Sequence, residues 1–211
     1  MGFTDLLQKQ HKEISRKKLN EFLEMINLST HSAYQSLENL LEWARSQTER
    51  ISIEPETINL HPVIVEIKEL QNLHAKNKGI IVIDEIPDDI SVFADRNMLN
   101  TVIRNITSNA IKYTSQGGSI TYRCSTTKDN VVIEIADSGI GIPEDKLKEL
   151  FQLDRVSSTA GTEGETGTGL GLIVCHDFML KNNGSIDVTS KAGKGTSFFL
   201  TIPKGKDQII S

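Results

Sequence analysis

The amino-acid sequence predicts an α+β fold, a two-layer α/β sandwich with helices on one sheet face, preceded by a long helix. Apolar residues spaced three and four apart indicate amphipathic helices, the longest over residues 16–50. Short apolar runs at 119–126 and 131–136, joined through residues 128–130, indicate two antiparallel strands. Helices and antiparallel strands in this arrangement favour two packed layers.

Composition narrows the class of protein. The 211 residues have a formal net charge of −5 and no basic stripe with interleaved aromatics, which argues against nucleic-acid binding. No apolar run approaches the roughly 18–20 residues that cross a bilayer, so we expect no membrane contact by this chain. Cys124 and Cys175 lie in separate apolar patterns, which favours reduced core residues in a cytoplasmic chain over a disulfide or metal site. Whether the full-length protein has a membrane anchor upstream of this chain is left open by the sequence.

The first 54 residues predict a helix that needs a partner. Its apolar stripe cannot be buried by a single helix of this length. The stripe consists of Leu19, Phe22, Leu23, Ile26, Ala33, Leu37, Leu40, Leu41 and Ala44. Core packing within one chain is one interpretation. We favour a dimerising antiparallel hairpin that lacks most of its first helix, since the preceding segment is too short to cover the stripe.

Helices and strands are predicted in turn after Pro55, which ends the helical continuation. A short strand at 57–60 leads through Asn59 or Leu60 into a helix that Gly79 stops. Asp95 is the predicted N-cap of a helix reaching about Tyr113. The other predicted elements are strands at 80–86, 91–94, 119–126, 131–136, 185–190 and 196–202, and helices at 144–151 and 170–182.

A strand-end acid followed by two glycines is the first candidate binding feature. Asp137 follows the apolar run 131–136, and Gly139 and Gly141 come next. A carboxylate there can accept a hydrogen bond from an exocyclic amine, and the glycines leave room for a flat ring. The alternative is a tight turn capped by an acid, because short glycine motifs recur by chance.

Polar side chains on the helix that starts at Asp95 are the second candidate. At about 100° per residue, Asn105, Asn109 and Lys112 share one stripe beside the apolar stripe. An amide oxygen suits Mg²⁺, and the amides and the ammonium group can donate to phosphate oxygens. Simple solvation of a polar helix face is the alternative.

Glycines that open a helix after a long polar segment are the third candidate. Residues 154–168 contain almost nothing apolar, and such a length is typical of a lid. The helix that follows can hold phosphate at its N-terminus, unless the glycines are only a hinge. The motif reads Gly167, Thr168, Gly169, Leu170 and Gly171. A fourth feature, residues 193–198, is either a hairpin turn or a contact from Thr196 to a nucleotide base.

These features, in this order, resemble the ATP-binding Bergerat fold of sensor histidine kinases, heat-shock chaperone ATPases, mismatch-repair ATPases and type II topoisomerases. Residues 105–114 resemble its asparagine box, 137–141 its acid–glycine box, Phe151 its phenylalanine box and 167–171 its second glycine box. The resemblance covers about residues 55–205. Because residues 39–45 also resemble the second helix of a kinase dimerisation hairpin, the whole chain resembles a two-component sensor histidine kinase.

The resemblance implies a domain organisation, ligands and partners. Residues 1–54 would be a partial dimerisation and phosphotransfer hairpin, 55–205 the ATP-binding catalytic domain and 206–211 a tail. ATP and Mg²⁺ would bind, the full-length protein would be a homodimer, and a response-regulator receiver domain would accept the phosphoryl group on an Asp.

The resemblance also assigns roles to matching positions. Asp137 would bind the adenine amine, with Gly139, Gly141 and Ile142 near the ring and Tyr113 near the adenine or ribose. Asn105 would hold Mg²⁺, while the phosphates would contact Asn109, Lys112, Gly167, Thr168, Gly169, Leu170 and Gly171. Arg155 is the only basic residue of the predicted lid and a candidate γ-phosphate contact. The predicted catalytic set is therefore Asn105, Lys112 and Arg155.

Asn105 also bears on the type of reaction. Hydrolysing members of the fold, by the same resemblance, carry a Glu general base at this position. An amide cannot take a proton, which argues against steady ATP hydrolysis and fits transfer to a neutral imidazole. A chaperone- or repair-type ATPase and a non-catalytic nucleotide-sensing module stay open as alternatives.

None of the five histidines fits the family's phosphoacceptor pattern, a His followed by an acid and later a proline. They are His11, His31, His61, His74 and His176. We therefore expect the acceptor to lie before Phe3, outside this chain. The chain would then bind ATP and Mg²⁺ without phosphorylating itself.

Overall fold

The computed structural model describes residues 53–152, 159–165 and 169–205, together with seven positions between Arg16 and Thr30. All seven are helical, as the long N-terminal helix predicts: Arg16, Lys18, Leu19, Phe22, Leu23, Ile26 and Thr30. The predicted continuation of that helix through residues 39–45 lies outside the described residues, as does the tail 206–211.

From residue 53 onward, helices and strands follow in the predicted order. They are β1 (Pro55–Asn59), α1 (Leu60–Asn77), β2 (Ile81–Glu85), β3 (Ser91–Asp95), α2 (Arg96–Tyr113), β4 (Ser119–Thr126), β5 (Asn130–Asp137), α3 (Glu144–Leu147), α4 (Gly171–Lys181), β6 (Ser185–Lys191) and β7 (Gly195–Pro203). Apart from the end of α3, each predicted boundary lies close to the observed one.

Side-chain caps start the two long helices where the sequence predicts them. The Asn59 side chain accepts a hydrogen bond from the backbone N–H of His61 at 3.1 Å, which satisfies a donor in the first turn of α1. Asp95 does the same for α2, accepting from the N–H groups of Asn97 and Met98 at 3.0 and 3.1 Å. The predicted N-cap Asp95 is therefore confirmed, and Asn59, one of the two residues predicted to lead into α1, is the N-cap of that helix.

The predicted helix over residues 144–151 is too long. Helix α3 ends at Leu147, and Pro143 before it supplies no side-chain cap. The chain then makes i→i+3 bonds, from the N–H of Glu149 to the carbonyl of Lys146 and from that of Gln152 to Glu149, each at 3.1 Å. Such tight turns do not propagate an α-helix, so the segment continues as turns to Phe151.

Five strands form one mixed sheet in the order β2-β4-β5-β7-β6. Strand β2 pairs with β4 in parallel, and the other neighbours are antiparallel. Strands β1 and β3 form a separate antiparallel pair. The register between β5 and β7 places Ile133 opposite Leu200 and Ile135 opposite Phe198, all four of them buried. One sheet face therefore packs on the helices, which confirms the two-layer α+β prediction.

Helix α2 lies at the centre of the core. Its predicted apolar stripe is buried throughout: Leu99, Val102, Ile103, Ile106 and Ala110. Cys175 is buried and Cys124 half-buried, and neither forms a disulfide. No helix in the described part of the chain combines the length and apolar character that crossing a bilayer requires.

Candidate functional site

The last turn of α2 carries two predicted site residues, Lys112 and Tyr113, and contacts two other parts of the chain. The carbonyl of Tyr113 accepts a hydrogen bond from the N–H of Ile140 at 3.0 Å, and the carbonyl of Lys112 accepts one from the N–H of Thr162 at 3.1 Å. Carbonyls at a helix C-terminus have no partner within the helix. Here they bind the acid–glycine loop (residues 138–143) and the 159–165 segment, so two parts of the chain dock on one turn.

Asp137 is the last residue of β5, at the entry to the acid–glycine loop. Its Oδ1 accepts hydrogen bonds from the N–H groups of Gly139 at 2.8 Å and Thr196 at 3.3 Å. Burial raises the pKa of this carboxyl, although these two hydrogen bonds work against the shift. Within the described residues these bonds end on Oδ1, which leaves Oδ2 able to accept from a ligand. The acid thus both caps its own turn and suits a ligand donor.

The two glycines of the loop are required by the protein's own packing. A Cβ on Gly139 would overlap the carbonyl oxygen of Tyr113, and one on Gly141 would overlap that of Lys191. Gly141 also has a φ of +67°, which side chains rarely adopt. These contacts explain both glycines, and the room that they were expected to leave for a flat ring stays a prediction.

Ser190 supports the same loop, although the sequence analysis did not identify it. Its Oγ accepts from the N–H of Ile142 at 2.8 Å, donates to the carbonyl of Gly195 at 2.8 Å and lies 2.9 Å from Oγ1 of Thr196. Thr196 is buried, with its N–H on Asp137 and its hydroxyl beside Ser190. The β6–β7 register pairs Ser190 with Thr196 and so brings the two hydroxyls together.

The polar stripe of α2 runs from the core to the surface. Asn105 is buried with 5% of its surface exposed, whereas Asn109 and Lys112 are half-buried. The Lys112 ammonium lies 4.8 Å from the centre of the Tyr113 ring, and the Tyr113 hydroxyl donates to the carbonyl of Thr159 at 3.1 Å. The surface end of the stripe therefore lies beside the 159–165 segment.

Helix α4 contributes its N-terminus and a ring contact. It begins at Gly171, and Leu170 before it supplies no side-chain cap. Gly169 has a φ of +75°. The rings of Phe151 and His176 stack with their centres 5.5 Å apart, which ties the end of the turns after α3 to α4. The predicted site residues Arg155, Gly167 and Thr168 lie outside the described residues.

A buried ion pair was also missed by the sequence analysis. Lys78 is the C-cap of α1 and only 4% exposed, and its ammonium lies 2.6 Å from Oε1 of Glu165. A lysine directly before a helix-stopping glycine gives no sign of burial, and Glu165 lies in a polar segment. Neither residue had a signal in the sequence.

Comparisons with known proteins find relatives over most of this chain. Residues 94–206 match the family described as "Histidine kinase-, DNA gyrase B-, and HSP90-like ATPase". The chain is 31% identical over 206 residues to the adaptive-response sensory kinase SasA of Crocosphaera subtropica, covering 95% of this chain and 50% of SasA. It is 30% identical over 186 residues to the aerobic respiration control sensor protein ArcB of Escherichia coli K12, covering 86% and 24%. The chain thus spans half the length of these relatives, or less.

Solved structures share the fold. The catalytic domain of the histidine kinase ThkA superposes with a TM-score of 0.63 at 28% identity, covering 72% of this chain and 99% of that one. ThkA in complex with the response regulator protein TrrA gives a TM-score of 0.73 at 22% identity, over 98% of this chain and 57% of that one. At that lower identity the second likeness shows the fold alone.

Proposed function

Because this chain belongs to the family of histidine kinase-, DNA gyrase B- and HSP90-like ATPases, we propose that residues 55–205 are the ATP-binding catalytic domain of a two-component sensor histidine kinase. The observation that carries the proposal is the docking of the acid–glycine loop and the 159–165 segment on the turn of α2 that holds Lys112. Similarity to the kinases SasA and ArcB supports the kinase branch of the family.

At the adenine end, Asp137 is the proposed anchor. Its Oδ1 is held by the N–H groups of Gly139 and Thr196, so Oδ2 would accept from the exocyclic amine of adenine. Ser190 would keep Ile142 in place against the ring, and the Tyr113 side chain would border the adenine or ribose. A charged acceptor with a fixed direction would favour a 6-amino purine over a 6-oxo purine, since only the former donates there.

At the phosphate end, Lys112 and Asn109 would bind phosphate oxygens, with the N-terminus of α4 opposite them. Magnesium would be held by Asn105 and the phosphates. The donor set fits this arrangement, because Asn105 offers an amide oxygen on the same helix as Asn109 and Lys112. Mg²⁺ in phosphoryl-transfer sites is bound by one or two protein ligands plus substrate phosphates, and an amide oxygen is a suitable ligand. Arg155, Gly167 and Thr168 stay proposed contacts from sequence alone.

The proposed reaction moves the γ-phosphoryl group of ATP to an imidazole nitrogen. A new N–P bond forms, the bond between the γ-phosphorus and the β–γ bridging oxygen breaks, and ADP leaves with that oxygen. No general base is needed at the position of Asn105, since a neutral imidazole already carries the attacking lone pair. Lys112 would stabilise charge on the transferring group. A receiver-domain Asp of a response regulator would then accept the phosphoryl group.

None of the five histidines is the proposed acceptor. None matches the phosphoacceptor pattern in sequence. Two of them also have other contacts in the structure: His176 stacks on Phe151, and the His61 ring lies 3.0 Å from the Asp88 carboxylate. We further propose a cytoplasmic location, supported by two cysteines that form no disulfide. We also propose a homodimer formed through the N-terminal helix, on which Leu19 and Leu23 expose 37% and 52% of their surfaces.

Isothermal titration with Mg·ATP, together with a phosphate-release assay and γ-³²P labelling, tests the proposal. We expect ATP binding, slow phosphate release and no label on this chain, but transfer to an acceptor-histidine domain supplied in trans. Asn109→Asp should weaken ATP binding by placing a negative charge beside the phosphates. Steady phosphate release would favour a chaperone- or repair-type ATPase. Unchanged ATP affinity in Asn109→Asp would contradict the phosphate site.

A further inference from the structure

Lys78 is a buried cation that the proposed mechanism does not use. Its ammonium donates to the carbonyls of Ile111 at 3.0 Å and Lys112 at 3.1 Å, and to Oγ1 of Thr162 at 2.8 Å. The first two acceptors are carbonyls of the last turn of α2, where a positive charge is favourable. A buried lysine is costly unless its charge is paired. Glu165 supplies that pairing at 2.6 Å.

Glu165 is held as a carboxylate by this contact. Burial alone would raise the pKa of Glu165, but the hydrogen bond and charge of Lys78, together with backbone N–H groups, lower it below its ordinary value. One of these groups is the N–H of Glu163, which donates to Oε2 at 2.8 Å. The side chain is 32% exposed, so it reaches the buried cation from the protein surface.

The ion pair joins the 159–165 segment to the last turn of α2, where Lys112 is the proposed phosphate contact. Thr162 adds a hydrogen bond from its N–H to the carbonyl of Lys112 and one from its hydroxyl to the carbonyl of Thr114 at 3.0 Å. A Cβ on Gly161 would overlap the Lys112 side chain, so the segment lies directly against it. Only three residues separate Glu165 from Gly169, which limits the distance between them to about 14 Å.

We infer that Lys78 and Glu165 are positioning residues for the phosphates of the nucleotide. This inference rests on the proposed function. Their ion pair fixes the 159–165 segment on the last turn of α2, and it thereby fixes Lys112 and limits where the start of α4 can lie. Lys78 does not contact the phosphates, because its ammonium is already neutralised by Glu165 and directed at α2 carbonyls.

The sign of the effect of Glu165→Gln separates this role from direct phosphate binding. If Lys78 bound phosphate itself, loss of the competing carboxylate would tighten ATP binding. If the pair positions the site, the same variant weakens ATP binding by about 3- to 30-fold. Adenosine, which lacks phosphates and is anchored at Asp137, should bind with unchanged affinity. Glu163→Gln removes the same charge from the same segment at an exposed side chain and is the matched control.

Isothermal titration of ATP and adenosine against wild type, Glu163→Gln, Glu165→Gln, Lys78→Met and the Lys78→Met/Glu165→Gln double variant provides the test. We expect the loss to be confined to ATP, and the double variant to be little weaker than Lys78→Met. If Lys78→Met fails to fold, Glu165→Gln still decides the question. Tighter or unchanged ATP binding by Glu165→Gln would overturn the inference, as would equal losses for ATP and adenosine. Wild-type protein that binds neither ligand would instead overturn the proposed function, and the positioning role with it.

Discussion

Replacing Asp137 with asparagine changes the charge at the adenine end while nearly preserving the shape of the side chain. The N–H groups of Gly139 and Thr196 both need an acceptor at the Oδ1 position, so the amide oxygen should occupy it. The amide nitrogen then replaces Oδ2 and presents a donor to the donating amine of adenine. The flipped amide would instead face those two N–H groups with its own NH₂ group. The first orientation leaves the adenine amine without an acceptor, and the flipped one leaves both backbone N–H groups without one.

The expected loss follows from that mismatch. A hydrogen bond to a charged group contributes about 1.5–3 kcal/mol, which corresponds to about 10- to 150-fold in the Kd for ATP. The same substitution should have little effect on the free energy of unfolding. Burial raises the pKa of Asp137, so the ionised carboxylate is less favourable in the native state than in the unfolded chain. A neutral amide removes that cost, and the free energy of unfolding should change by no more than about 1 kcal/mol.

Isothermal titration with ATP and inosine triphosphate, alongside urea denaturation, measures both quantities. We expect weaker ATP binding, a smaller preference for ATP over inosine triphosphate, and a nearly unchanged urea midpoint. Asp129→Asn changes the same charge at the opposite end of β5, on an exposed turn, and should leave both affinities as in wild type. Equal ATP affinities in wild type and Asp137→Asn would refute the assignment of Oδ2 as the adenine acceptor.

Three further predictions concern the same end of the site. Gly141→Ala should lower the free energy of unfolding by more than Gly193→Ala does. Both glycines have a positive φ, which costs a side chain about 1–2 kcal/mol, but only at Gly141 would the new Cβ overlap a carbonyl. Urea denaturation of the two variants checks this. Ser190→Ala should cost about 1–3 kcal/mol of stability, because it leaves the N–H of Ile142 without its acceptor, and Ser190→Thr should recover part of it. Because the pKa of Asp137 is raised, the native state keeps its proton to higher pH than the unfolded chain. ATP affinity should therefore rise, and the stability contribution of Asp137 fall, as pH rises through that pKa. Titrations from pH 4 upward check this, and Asp137→Asn should flatten both.

Most of the fold could be predicted because local and tertiary preferences agree. Asn59 and Asp95 are good N-caps in isolation, and the structure uses both in that role. The apolar stripe of α2 is fully buried, as its period requires. The end of α3 could not be predicted, since nothing in residues 148–151 forbids a helix. Packing decides it there, where Phe151 stacks on His176 and lies against the core.

The site was predictable only where a residue type has a chemical reason to be in a motif. Asp137 and the Asn105–Lys112 stripe can be recognised in the sequence from their residue types and spacing. Lys78, Glu165 and Ser190 do not, because each works through partners that are distant in sequence. Lys78 reaches Glu165 across 87 positions, and Ser190 acts through a hairpin register that places it opposite Thr196. The periodicity of apolar residues reports only on neighbours within one helix or strand, so it does not reveal such contacts.

The C-terminus of α2 explains why these contacts occur together. A helix that ended in solvent would give its last carbonyls to water. Here the carbonyls of Ile111, Lys112 and Tyr113 bind Lys78, the 159–165 segment and the acid–glycine loop. The adenine loop and the segment before α4 are therefore attached to consecutive peptide groups of one rigid helix. Because each loop has its own acceptor on this turn, Lys112 for the 159–165 segment and Tyr113 for the acid–glycine loop, one contact can be weakened while the other is kept.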